Sequence, residues 1–431
     1  MLRMFSDVAA FRRDPLALMA DRGRAGRGLQ RLNLGFKPVY LVSDPETARQ
    51  VLRSDEARID KGRHIRKLAS VVGWNSITMS GEAQKTRRTL LHRTFAAGLS
   101  GDYVPVLGGV VRAWIASLAR EDTLAAREAG AHVTLRMICA VLFGPGVLSS
   151  GDESLLIQAV RLVEDDIAAE MFRILPTTPW ERIRRRRAIA RARSMMALVV
   201  ERTCDRAASS SLLTALRGLG LKGDALRDEV LILLLAGHHT TGAAATWMLY
   251  HLASDPSLAL ALLDEAERLS DAGGEMTSAG LRAAQHSRGL AQEVLRLYPS
   301  SYYMARDVQQ DTDVAGCRLG RGTTVIISQW QLHRDPRFWS DPLSIRLDRG
   351  WSSNPAYMPF GFGPRACTGM ALAVQMLQML ALEFSAAFSA RVASPLPVPD
   401  PKPSITLVPP DICLSIDAAP GRRTGPAQVA A

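Results

Sequence analysis

Four short stretches carry the residue types that do chemistry. Near the C-terminal end, Pro359-Phe360-Gly361-Phe362-Gly363-Pro364-Arg365-Ala366-Cys367-Thr368-Gly369 wraps one cysteine in glycines and prolines, and an apolar pattern runs on from Met370 to Phe388. A Gly/Pro turn ahead of a helical pattern puts Cys367 at or near a helix N-terminus, where unpaired N–H groups and the helix dipole favour a thiolate. Arg365 adds a cation two residues back. Cys367 then reads either as a buried structural cysteine or as a thiolate presented to a metal. The second stretch is Ala236-Gly237-His238-His239-Thr240-Thr241-Gly242, set within a run that is apolar on every side. Glycine and small polar residues are unfavourable inside a buried helix. They indicate close approach to something flat, a kink where hydroxyls bond helix carbonyls, or a small-residue packing seam.

The third stretch is Glu293 and Arg296 at i, i+3, which in isolation is an ordinary surface ion pair worth a few tenths of a kcal/mol. In the fourth, Gln84, Arg88 and His92 share a helix face at i, i+4, i+8, so that face is either solvated or turned toward an anion.

The elements that must position these residues follow from periodicity. Lys37 to Ser43 reads as a strand, and Asp44-Pro45 opens a helix to Leu52. Residues 55 to 80 read as irregular, and a helix starts at Gly81. Helical patterns cover Tyr103 to Leu118, Thr134 to Leu142, Ser154 to Phe172 and Trp180 to Ala207, the last with a run of arginines from Arg182 to Arg193. Such a run is a solvated face or an attraction to phosphates or a membrane surface. Asp224 to Ala253 is the longest helix, two more follow Asp255-Pro256, and the second of these spans His286 to Leu297. Strand signals occupy Val308 to Val314 and Thr323 to Ile327, then a polar meander leads to the cysteine loop. A last hairpin is expected from Ile405 to Leu407 and Ile412 to Ile416, with a disordered tail from about Ala418.

Composition bounds the function. With 431 residues, 47% hydrophobic and 22% charged, the chain is long enough for a large core and ordinary for a globular protein. Five scattered cysteines, odd in number and without CxxC spacing, argue against a disulfide framework and a zinc site. Residues 1 to 28 hold no apolar run of signal or membrane-span length, so a cytoplasmic protein with no membrane span is expected. The net charge of +11 comes with only 6% aromatics and no recognition module, which favours a basic docking face for an acidic protein, or merely an Arg-rich base composition, over nucleic acid.

Taken together, the motifs resemble the cytochrome P-450 family of haem-thiolate enzymes, from the strand at Val39 to the hairpin near Ile412. The haem-loop pattern F-x-x-G-x-R-x-C-x-G is complete in Phe360, Gly363, Arg365, Cys367 and Gly369. The E-x-x-R pair is Glu293 and Arg296, and Arg349 stands where a degenerate P-E-R-F segment puts the third member of an ion-pair triad. The resemblance implies a mainly α fold, one domain over 1–431, with a small β-rich region and haem b (iron protoporphyrin IX) between the central helix and the Cys loop. Cys367 would be the metal ligand, with Phe360 packed against it and Gly363 and Gly369 letting backbone approach the porphyrin. Arg88, Arg306 and Arg365 would hold the propionates, and Gln84, in a slot usually Trp or His, would add one hydrogen bond. Ala236 and Gly237 would leave room for dioxygen, with Thr240 and Thr241 beside it. His239 occupies the slot where the family has an acid; histidine can also shuttle protons.

The function implied is a monooxygenase, a monomer acting on a lipophilic small molecule with electrons from a separate ferredoxin or flavodoxin-type donor. His239 also suits a haem-thiolate enzyme independent of redox partners, and the arginine run a non-catalytic scaffold. Pocket walls are expected from residues 55 to 80, 172 to 180, Ala236 to Thr241, and Ser300 to Ala305, the last bringing Tyr302, Tyr303 and Met304.

Overall fold

Asp44 accepts the N–H of Thr47 at 2.8 Å and so caps helix α1 (Pro45–Arg53), with Pro45 in the first turn where no N–H is needed. The computed structural model describes residues 2–419 except 62, 100–102, 172–177, 205, 208–210, 271–273, 395–396, 398–399 and 405. Strands β1 (Leu29–Leu32), β2 (Val39–Val42), β3 (Ile59–Lys61), β4 (Met304–Val308) and β5 (Thr324–Ile327) form one sheet in the order β1-β2-β5-β4-β3. Only β2 and β5 run parallel. Its register sets Lys61 on β3 directly opposite Arg306 on β4.

Most of the rest is helical. Helices α2 (Gly81–Leu99), α3 (Ala126–Phe143), α4 (Ser150–Met171), α5 (Pro179–Cys204), α6 (Gly223–Ser254), α7 (Gln285–Leu297) and α8 (Met370–Ala387) frame the site. α6 is the axle of the molecule. Leu226, Val230, Leu231, Leu234 and Leu235 are buried before its middle, and Ala244, Trp247, Met248 and Leu249 after it. Residues 236–240 between them are only half buried, because a cavity lies on each side. α3 crosses α6 at Gly130 and Gly242: a Cβ on Gly130 would stand 2.8 Å from Gly242 O. Gly242 therefore belongs to a packing seam, whereas Ala236 and Gly237 line a cavity.

Several expectations from the sequence change. Residues 55 to 80 are not irregular: they hold β3 and a helix, Arg63–Val72, whose apolar positions a polar composition masked. α3 begins at Ala126, eight residues before Thr134, and three helices rather than two follow Asp255 (Pro256–Leu269, Ser278–Ala283 and α7). The expected strand Val308–Val314 is broken, its first part ending β4 and its last, Thr312–Val314, pairing with Cys317–Leu319. The expected hairpin is replaced by two pairings. Lys402–Pro403 pairs with Leu407–Val408, while Cys413–Ala418 joins Phe388–Val392 and Thr123–Ala125, because its alternating buried residues face the helical core. Ala418 ends that strand; residues 172–177 and 420–431 lie outside the described residues.

On α5, Arg185 pairs with Asp166 at 2.6 Å and Arg193 with Asp228 at 2.8 Å, so part of the arginine run ties α5 to its neighbours while Arg184, Arg186 and Arg187 are exposed. Among the described residues, α8 alone is long and apolar enough to cross a membrane, and 67% of it is buried inside the protein as a core helix.

Candidate functional site

A cavity of about 340 Å³ lies between α6 and the cysteine loop. Ala236, Gly237, Thr240 and Thr241 form one wall; at i, i+1, i+4, i+5 they share one helix face. Phe360, Cys367 and Gly369 stand opposite. Gly361 and Gly363 turn the loop at φ +72° and +74°, and the Cys367 N–H donates to Phe360 O at 2.8 Å. A Cβ on Gly363 would meet Leu52 O of α1 at 2.6 Å, so this glycine seats the loop on α1 and does not bring backbone to the cavity as the resemblance implied. Gly369 does line the cavity, and a Cβ there would be 4.0 Å from Cys367 Sγ.

Cys367 is exposed, but to the cavity, while the surrounding protein removes it from water. Burial pushes its thiol up, against the opposing pull of the Gly369 N–H and the Arg88 charge. The helix proper starts only at Met370, so the N-terminal effect expected from the sequence does not outweigh desolvation. A thiolate here calls for a cation bonded to sulfur, since coordination deprotonates a thiol outright.

Four cations crowd one end of the cavity: Lys61, Arg88, Arg306 and Arg365. Burial and the neighbouring Arg365 lower Lys61 to about 8 and also pull down Arg88 and Arg306. Against them stand Glu56, ion-paired with Arg365, and Asp60. Burial raises the Glu56 carboxyl, but the Arg365 hydrogen bond and charge prevail and hold it below its usual range. Arg88 donates to Ala366 O, Arg365 Nη1 to Met79 O at 3.1 Å, and Arg365 Nη2 is buried with no acceptor among the described residues. Gln84, Arg88 and His92 face the adjoining cleft, and Gln84 Nε2 donates one hydrogen to Ser76 O at 3.2 Å. Lys61 was hidden in sequence, because only strand register brings it beside Arg306. This donor set fits haem: a sulfur facing the cavity, apolar walls, and cations in excess of the neighbouring Glu56 and Asp60, with a spare buried donor for its carboxylates.

Beneath this cavity, Arg296 grips Glu293 through two bonds of 2.6 and 2.8 Å, and Arg349 adds a third at 3.0 Å. Trp351 Nε1 and the Arg346 N–H also donate to that carboxylate. Arg296 and Glu293 are both fully buried, which the surface-pair reading of the bare spacing missed. Arg296 further donates to His333 O and Pro342 O, fastening α7 to the meander.

Two expectations about the walls are corrected. Ser300, Ser301 and Met304 line the cavity, but Tyr302 turns away, its hydroxyl donating to Ser404 O at 3.1 Å, and Tyr303 stacks edge-on against it. The aromatic wall comes instead from Phe95 and Phe360. His239 does not face the cavity: one residue before Thr240 it lies about 100° round the helix. Its side chain enters a groove on the far side of α6, beside Glu164 and Thr406. Neither of these was singled out in sequence, as neither stands in a recognisable spacing.

The family model for cytochrome P450 matches residues 22–415. Cyclooctat-9-en-7-ol 5-monooxygenase of Streptomyces melanosporofaciens is 28% identical over 396 residues, covering 86% of this chain and 84% of that protein. Human cytochrome P450 4V2 is 27% identical, covering 80% and 74%. The putative cytochrome P450 132 of Mycobacterium tuberculosis (strain ATCC 25618 / H37Rv) is 28% identical over 84% of each chain. With a match that spans nearly all of its length, this chain belongs to the cytochrome P450 family, whose cofactor is haem.

Proposed function

We propose that the protein is a monooxygenase that inserts oxygen from O₂ into a C–H or C=C bond of a lipophilic small molecule, with electrons from a separate ferredoxin or flavodoxin-type donor. The observation that carries this is the placing of Cys367 and Thr240 on opposite walls of one cavity with the cation cluster at its end. Cys367 would hold the iron, Arg88, Arg306, Arg365 and Lys61 the carboxylates, and Phe360 would shield the sulfur from water. Bound haem supplies dioxygen activation, which a thiolate ligand favours as a known property of cysteine-ligated haem. Thr240 Oγ1 donates to Ala236 O at 2.6 Å, and on this reading it would be the hydroxyl that passes a proton into the cavity. Ile232, Leu233, Phe95 and Met304 make an apolar wall that excludes water and suits a lipophilic substrate, in keeping with the cyclooctat-9-en-7-ol named for one relative.

His239, standing where a carboxylate is usual, favours a second reading in which peroxide replaces O₂ and the electron donor. The reduced, CO-treated protein should show a band at about 450 nm. Reduced ferredoxin should then drive product formation faster than peroxide does. Absence of the band in haem-replete protein would sink the thiolate ligation, and faster turnover with peroxide would replace the first reading by the second.

A further inference from the structure

Beside the N-terminal half of α6, the wall between the cavity and solvent is the thickness of one loop, residues 73–79. Trp74 is 64% exposed, while Ser76 and Ile77 line the cavity together with Ile232 and Leu233 of α6. Asn75, fully buried, folds this loop on itself. Its Oδ1 accepts the N–H groups of Ile77 and Thr78 at 3.0 and 3.1 Å, and its Nδ2 donates to Val72 O at 3.2 Å. Thr78 Oγ1 donates to Gly73 O at 2.8 Å. A loop bonded internally in this way shifts as a unit, and its place is set by the bonds to its neighbours.

Two adjacent carboxylates of α6 hold it. Asp228 Oδ2 accepts the Trp74 N–H at 3.1 Å, and a Cβ on Gly73, at φ +75°, would overlap that oxygen. Glu229 Oε2 accepts the Ser76 N–H at 3.0 Å and Arg87 Nη1 at 3.2 Å, while Gln84 Nε2 on α2 donates to Ser76 O. Asp228 is further tied to Arg193 and Arg227, both at 2.8 Å. Glu229 is less well served. It is fully buried, and its Oε1 has no hydrogen-bond partner among the described residues. Burial pushes its carboxyl up against the pull of Ser76 and Arg87, whereas Glu293, with five donated bonds, is held below its ordinary value. Water reaching the idle oxygen would recover part of that desolvation cost, which offsets the bonds lost when the loop leaves. Glu293 is a lock; Glu229 is built to let go.

We propose that Glu229 latches this wall: it holds residues 73–79 against α6 and thereby governs how fast a ligand passes into and out of the cavity. It is a positioning residue, acting through Ser76 and Ile77 and touching no ligand itself. The inference rests on the reading of the cavity as a substrate chamber, and its test needs no turnover.

Stopped-flow mixing of haem-replete protein with phenylimidazole, whose ring nitrogen ligates haem iron, reads this passage. The loop is shut in this structure, so entry and exit both require it to open. Glu229→Gln keeps the shape and an acceptor but removes the charge, and a neutral acceptor bonds about half as strongly. Association and dissociation rates should both rise on the order of tenfold, with their ratio nearly unchanged. Hydrogen exchange at residues 73–79 should accelerate alongside, with α7 and α8 unchanged. Arg87→Gln, which takes away the counter-charge, should speed both rates in the same way, and the double variant should be no faster than the faster single one. Rates and exchange equal to the parent's in Glu229→Gln would overturn the latch. So would faster dissociation with association unchanged, which would make Glu229 a support of the wall's shape alone. If Glu229→Gln takes up no haem, Arg87→Gln decides by the same two rates. A parent protein that binds phenylimidazole yet makes no product with reduced ferredoxin sinks the monooxygenase reading, and the two rates still judge the latch.

Discussion

Glu293 carries five donated hydrogen bonds while fully removed from water, from Arg296 (two), Arg349, Trp351 and the Arg346 backbone. Desolvation pushes its carboxyl up, yet the Arg296 hydrogen bonds and charge outweigh it and hold the carboxyl below its ordinary 4.5. The unfolded chain thus binds a proton at mildly acid pH that the folded chain refuses. The stability this group contributes is complete above about pH 4.5 and drains as pH falls through the lower folded value. Glu293→Gln should destabilise the protein at neutral pH by about 3–5 kcal/mol, since it leaves Arg296 buried without its counter-charge. The variant should also lose that component of acid sensitivity. Thermal midpoints of both proteins across pH 3 to 7, roughly, measure this; parallel curves would refute it.

Beside the site, two helices approach closely at small residues. At the α3–α6 crossing, Gly130 faces the Gly242 carbonyl and the Thr246 N–H, so a methyl group there would meet backbone at 2.8 and 3.0 Å. Backbone cannot swing aside as a side chain can. Gly130→Ala should therefore cost about 1–3 kcal/mol and push α3 away from the turn that carries Thr240. Lower thermal stability with a weakened substrate spin shift is the expected result; an unchanged melting temperature would mean the helices part freely. The same crossing explains why small residues in α6 could not be sorted from sequence. Gly237 and Gly242 look alike in the chain and both lie close against α3, Gly237 at the Ile138 side chain and Gly242 at the Ala131 backbone, but only Gly237 also lines the cavity with Cys367.

Across the whole molecule, charge is arranged at two ranges. At short range the fold gathers Lys61, Arg88, Arg306 and Arg365 from four separate parts of the chain, with Lys61 and Arg306 directly opposite in the sheet. Like charges in that position repel, so an anion between them would stabilise the arrangement. At long range the net charge of +11 would favour the acidic electron carrier proposed above. The second-order rate of reduction by an acidic ferredoxin should fall several-fold between low and physiological salt, as screening shortens to about 8 Å. Stopped-flow reduction at several ionic strengths checks this, and a flat dependence would place the docking energy in uncharged contacts.

The chain by itself determined what is local. The Gly/Pro turn with Cys367, the cap at Asp44-Pro45 and the long apolar α6 are written in consecutive residues, where φ preferences and helical period act over a few positions. Glu293 and Arg296 were legible as a pair but not as a buried one, because burial depends on what packs above them. Tertiary structure alone decided the rest. Strand register brought Lys61 to Arg306, a crossing 112 residues long in the chain joined Gly130 to Gly242 (242 − 130), and the turn of α6 sent His239 away from the cavity to Glu164 and Thr406. Such contacts are set by the balance of burial over the whole core, and no spacing within the sequence encodes them.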